Sequence, residues 1–205
     1  MTVQFPGGDA LPTTPEPLAA RQDVLRFLSS RRSRPAKTLT TEAPSADEIR
    51  AMLKIAARTP DHGKLEPWRF IVIARDTMAT LAETAERHGL VEGMAGPQAA
   101  KAAANFTFGG VIVAVVSSAK PAKIPEWEQH LSAGAVCMAL LNAALAAGWG
   151  ANWLTGPFSR DPGFLGPQLG LKSHEFVAGF VHMGRETSTP PDRPRPDVEA
   201  LTEWR

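Results

Sequence analysis

The chain has 205 residues, 43% of them hydrophobic, enough to bury a sizeable core within one domain. With 22 Lys and Arg against 21 Asp and Glu, the formal net charge is +1, which argues against a nucleic-acid or membrane-surface partner, since both need a concentrated basic field. The single cysteine, Cys137, excludes an intramolecular disulfide and any metal motif built on two cysteines, and fits a cytoplasmic protein.

Residues 1–20 are rich in Pro, Thr and Gly and read as an extended or disordered arm; they lack the basic start and apolar run of a signal peptide. One domain is expected over 21–205, closed by a Pro-rich tail from 187. A first helix is expected over 21–31, with Val24, Phe27 and Leu28 on one stripe. The second helix starts at a capping box, Ser45 with Glu48 three residues on, and carries Ile49, Met52, Leu53 and Ala56 on one face.

Pro60 and Pro67 then bracket RTPDHGKLEPWRF, residues 58–70. Proline fixes its own φ and moves the preceding residue out of the helical region, so this is a stiffened loop. Strands are expected over 68–75, 109–118 and 175–184, with a short strand or turn over 150–157. Helices are expected over 76–88, with Asp76 as cap, over 125–147, and as a short piece within 159–169. The stretch 131–150 is apolar enough to resemble a membrane span, but its Ala and Gly content, Ser132 and Asn142 identify it as a helix buried in protein. The order mixes helices and strands without a βαβ beat, and no internal repeat appears.

Several familiar sites are missing. Gly63-Lys64 lacks the remainder of a phosphate-binding loop, His174-Glu175 does not continue to HExxH, and Gly148-Trp149-Gly150 does not extend to GxGxxG. Three polar clusters remain. SSRRSR, residues 29–34, ends the first helix, and arginines around a serine offer paired donors to a phosphate, although arginines there also suit the helix dipole. The second cluster is Arg58 with His62. The third is Asn152-Trp153-Leu154-Thr155-Gly156. Each alone would pass as a solvated loop or an ordinary turn.

Their order is more specific. RRS, then RxPDHxxxxPWRF, then a helix opening with WEQ and continuing to SAG, then a glycine-rich turn and W-x-[ST]-G, resembles the small branch of the nitroreductase family of flavoproteins, from about residue 21 to 184. The resemblance implies an α+β nitroreductase-like fold: a central mixed, mainly antiparallel sheet flanked by helices, in a homodimer with two sites at its interface. It implies FMN as cofactor, NADH or NADPH as donor, and a small-molecule electron acceptor. By position, Arg31, Arg32, Ser33, Arg58, His62, Trp153, Leu154 and Thr155 match FMN contacts, the last three from the partner side of the site. Ala143, Ala144, Leu145, Ala146, Ala147 and Gly148 match a segment assigned to NAD(P)H.

No metal and no catalytic side chain are implied, because the flavin carries the chemistry. Two positions depart from the family pattern: Leu154 stands where an arginine is common, and Glu66 where glutamine is. The same fold would also accommodate a dehydrogenase, a flavin-modifying enzyme or a flavin-binding sensor.

Overall fold

The computed structural model describes residues 17–205 together with Phe5 and Pro15. The expected N-terminal arm therefore lies largely outside the described residues, although Phe5 is half-buried against the core.

Helix α1, Gln22–Ser30, leads into an extended segment. Helix α2, Ala46–Ala56, begins as expected: Ser45 accepts from the Glu48 amide while the Glu48 carboxylate accepts from the Ser45 amide. Strand β1, Trp68–Ala74, is followed by α3, Arg75–Val91, and α4, Gly96–Ala104. Asp76 does not cap α3. The cap position is Ala74, and Asp76 sits inside the first turn, accepting from the Thr77 amide. Strand β2, Val111–Ser117, precedes the long α5, Glu126–Ala146. Strand β3, Gly150–Leu154, a short helix α6, Pro162–Leu169, and strand β4, Phe176–Gly184, complete the regular structure before the tail.

The four strands form one sheet in the order β1-β2-β4-β3, antiparallel at every pairing. β2 is buried along its whole length because helices cover both faces. Val111, Val113 and Val115 meet α2 and α5 on one side, while Ile112 and Ala114 meet α3, α4 and α6 on the other. That alternation follows from the period of two along a strand. A register shift between Val115 and Val116 lies opposite Gly179 of β4. A Cβ on Gly179 would stand 2.0 Å from the indole nitrogen of Trp153, so glycine there lets β3 lay its tryptophan flat on β4.

Among the described residues one helix, Glu126–Ala146, is long and apolar enough to cross a membrane. One face of it, Ala133, Val136, Cys137, Leu140 and Ala144, is buried completely against the sheet. Its opposite face leaves Trp127 62% and Leu131 65% exposed. Burial also pushes the Cys137 thiol up to about 12, so it is packing material rather than a nucleophile.

Candidate functional site

The first cluster is built where α1 stops. The chain leaves the helix extended at Arg31 and is pinned beside β3: the Arg34 amide donates to the Ala151 carbonyl at 2.9 Å, and the Asn152 side chain donates to the Arg34 carbonyl at 2.8 Å. This pairing brings Arg31, Arg32 and Ser33 next to the strand that carries Trp153 and Leu154. Arg31 donates to the Ser33 hydroxyl at 3.1 Å, and Arg34 is paired with Glu186 and donates to the Arg32 carbonyl.

Among the described residues the Nε atoms of Arg31 and Arg32 are buried without an acceptor, on a cavity of about 260 Å³ whose one lining carboxylate, Glu186, already serves Arg34. Burial first, and then the charges of Arg195, Arg32 and Arg34, push the Arg31 guanidinium below its ordinary value. Arg195 comes from the C-terminal tail, where it is paired with Asp192 at 2.6 Å. Buried donors without acceptors cost stability, and an anion with several oxygens relieves that cost. The residues present therefore fit a phosphate group.

The second cluster follows α2. Arg58 is exposed and unpaired among the described residues. Asp61 holds the loop by accepting from the amides of Leu65 and Glu66. Gly63, Lys64 and Glu66 all have positive φ, the latter two at 54° and 48°, so the backbone here is strained where non-glycine residues sit. His62 meets Glu128 of the WEQ segment at 2.8 Å through Nδ1.

The third cluster is divided by strand alternation. Trp153 packs toward α5 and donates to the Ala178 carbonyl at 3.2 Å. Leu154 and Thr155 line a small cavity of about 10 Å³ on the other side, beside Asn105, Ser159 and His182. A volume of that size suits a single water at most. His182 is 1% exposed, its Nδ1 set at 3.1 Å from the Phe108 carbonyl, and burial pushes it down to about 4, so the imidazole is neutral.

Of the segment matched to NAD(P)H, Ala143, Ala144 and Ala147 are buried in the core, Ala146 is exposed, and Leu145 and Gly148 line the arginine cavity. That placement bears on the whole arrangement. His62 reaches α5 in its first turn, at Glu128, while the arginine cavity touches its last turn, at Leu145. At the helical rise per residue these points are on the order of 25 Å apart. The structure thus brings Arg31, Arg32, Ser33 and β3 together within one chain and sets Arg58 and His62 at the far end.

Three contributors were not identified from sequence. Asp61 was visible only as part of PDH, though an Asp after a proline is a common turn-maker. Gln129, 3% exposed, spends its amide on the backbone of the 120–124 loop. Glu175, next to His174, forms a bidentate bridge with Arg69. That bridge, opposed by burial, holds the Glu175 carboxyl down at about 2.

A model of the nitroreductase family matches residues 28–185. The chain is 30% identical over 164 residues to the "Putative NAD(P)H nitroreductase YdjA" of Escherichia coli K12, spanning 79% of this chain and 87% of that one. It is 34% identical over 165 residues to a "Putative NAD(P)H nitroreductase" of Haemophilus influenzae, with 79% and 88% covered. Among solved structures, a "putative nitroreductase in complex with fmn" from Desulfovibrio desulfuricans superposes with a TM-score of 0.70 at 25% identity, over 91% of this chain and 99% of that one. A nitroreductase-like family protein from Bacillus cereus gives a TM-score of 0.73 at 20% identity, over 92% and 98%.

Proposed function

Because the chain belongs to the nitroreductase family, we propose that it is an FMN-dependent NAD(P)H oxidoreductase acting as a homodimer. The observation that carries this reading is the pair of buried, unpartnered Nε atoms of Arg31 and Arg32 on an acid-poor cavity. A flavin phosphate brings roughly −1.5 to −2 charge, by analogy with protein phosphate esters, and the acceptor oxygens these arginines lack. The Desulfovibrio relative, which holds FMN, supports the same cofactor.

FMN, when bound, supplies the two-electron chemistry: hydride from NADH or NADPH, then electrons to a nitroaromatic, quinone or related acceptor. This chain's residues bind and orient. Arg31, Arg32 and Ser33 take the phosphate and the adjoining ribityl chain, with Arg195 beside them. Trp153, fixed on β4, forms a wall of the site, with Leu154 next on the strand and Thr155 just past its end. No side chain is assigned as acid or base, and solvent supplies protons. The nucleotide leaves before the acceptor enters, and NADH or NADPH is met in the cytoplasm.

Two features support the dimer. The RRS cluster and the Arg58–His62 cluster stand at opposite ends of α5, so one flavin meets both only if a second copy supplies the second cluster. The faces such a copy would cover are available: α1 buries none of its residues and leaves Leu25 57% exposed, and the outer stripe of α5 carries Trp127 and Leu131. The site is then assembled across the interface, with Arg58 and His62 as the partner's contribution. This exchanges the roles that the family resemblance suggests for these residues and for Trp153, Leu154 and Thr155.

Steady-state kinetics of FMN-loaded protein test the reading. With NADH or NADPH varied at several concentrations of a nitroaromatic or quinone acceptor, parallel double-reciprocal lines are expected. Bound flavin with no turnover from either nucleotide would instead leave a flavin-binding sensor.

A further inference from the structure

Another cavity, of about 450 Å³, opens beside the loop that carries His62. Lys120, Lys123, His174, Pro121, Pro125 and Ile124 line it. Its position is fixed at Gly63, where an added Cβ would lie 3.5 Å from the Ile124 side chain. Its volume falls in the range of small-ligand sites, roughly 300–1,000 Å³.

The rim is a built loop rather than a loose one. The buried Gln129 side chain accepts from the Lys120 amide at 2.8 Å and donates to the carbonyls of Lys120 at 3.1 Å and Ile124 at 3.4 Å. A buried amide wholly engaged in this way holds the backbone between the two lysines in one shape.

Positive charge outweighs negative on that rim, with two lysines against Glu126. Glu126, which also lines the cavity, lies 3.3 Å from His130; Glu128 is held by His62; and Glu175 is held by Arg69. Glu66 lines the adjoining trough with Lys120 but forms no ion pair with it. Neither Lys120 nor Lys123 has an acidic partner among the described residues.

We infer that Lys120 and Lys123 form a subsite for the 2′-phosphate of NADPH. This rests on the reductase reading above. A phosphate monoester of roughly −1.5 to −2 charge matches two free ammonium groups. Lysine also suits a ligand that must leave in every catalytic cycle. Its ammonium is compact, strongly hydrated and flexibly carried, whereas the buried guanidinium forks of Arg31 and Arg32 suit a resident group. Pro121 and Pro125 add an apolar wall for the nucleotide's adenine end. The subsite makes the enzyme selective for NADPH over NADH.

Calorimetric titration of the FMN-loaded protein with NADP⁺ and with NAD⁺ tests this without turnover. The wild type is expected to bind NADP⁺ more tightly by about tenfold or more, as for a charge-assisted phosphate contact. In Lys120→Ala/Lys123→Ala the ratio falls to near one, and in Lys120→Arg/Lys123→Arg it is largely kept. Equal affinities in the wild type, or a ratio unmoved in the double alanine variant, overturn the inference. If NADP⁺ is preferred through these lysines yet neither NADPH nor NADH bleaches the flavin, the subsite stands and the reductase reading falls.

Discussion

Arg32, two residues past the end of α1, has a buried Nε atom without an acceptor among the described residues, and this small local defect is the most informative feature of the molecule. Arg32→Ala removes a charge-assisted contact to the FMN phosphate, so FMN affinity should drop by about 10- to 100-fold in a fluorescence titration. Arg32→Lys should recover only part of that loss, since an ammonium lacks the fork. An unchanged affinity in Arg32→Ala would remove the arginine cavity as the phosphate site. His182 makes a second prediction at this scale. Its folded value of about 4 lies below the ordinary 6.5. The unfolded chain therefore takes up the proton first as pH falls. The stability from keeping the ring neutral is complete above about pH 6.5 and is lost progressively down to about pH 4. His182→Gln should lose about 3 kcal/mol less than wild type between pH 7 and 4 in urea denaturation. Equal pH slopes would show that the imidazole is not buried as described. At this scale the sequence showed the Ser45–Glu48 cap plainly, because its signal is local. It did not show that Trp153 is laid on Gly179, because that depends on a neighbouring strand.

Among the elements, the loop after α2 decides the most. Its two prolines mark a stiff turn in the sequence, but nothing in Lys64 or Glu66 announces a positive φ; those angles are imposed by Asp61 binding two amides. Asp61→Ala should therefore release the loop. Faster proteolytic nicking near residue 64 and weaker FMN binding are expected, with both largely restored in Asp61→Asn, which keeps an acceptor oxygen. Nicking at the wild-type rate in the alanine variant would show the loop holds itself. The Arg69–Glu175 bridge is the other element-scale device, tying the start of β1 to the approach to β4. The Glu175 side chain is 1% exposed, so Arg69→Met takes the guanidinium from a buried carboxylate that keeps the Lys172 amide at 2.9 Å. A loss of roughly 3–5 kcal/mol is expected by chemical denaturation. A loss below about 1 kcal/mol would mean that the carboxylate finds other partners. The sequence marked β2 and β4 by their β-branched, apolar runs. It gave no sign of α4, whose alanines favour a helix without an apolar stripe to reveal it.

For the whole molecule, α5 is both the centre of the core and the measure of the site. Composition alone identified it as a protein-buried helix, and one face is buried; the other leaves Trp127 and Leu131 exposed, where the proposed dimer would cover them. Sequence order also grouped the RRS and PDH elements into one family pattern. It could not show that they lie at opposite ends of a helix, because spacing along a chain carries no direction in space. Mixing Arg32→Ala protein with His62→Ala protein exploits that separation. If the site is shared across the interface, a heterodimer has one intact site and one doubly impaired site, so mixing and re-equilibrating subunits should restore activity toward half the wild-type value per heterodimer. Sites wholly within one chain would show no recovery.

In the proposed reductase a bound flavin accepts electrons from a nicotinamide nucleotide. The absorbance spectrum of the FMN-loaded protein under anaerobic conditions, before and after NADPH and then NADH, tests this. An oxidised flavin band that bleaches with nucleotide, faster with NADPH, is expected. A protein that stays colourless after incubation with FMN would contradict the assignment of Arg31, Arg32 and Ser33, and a band that persists with both nucleotides would contradict the reductase.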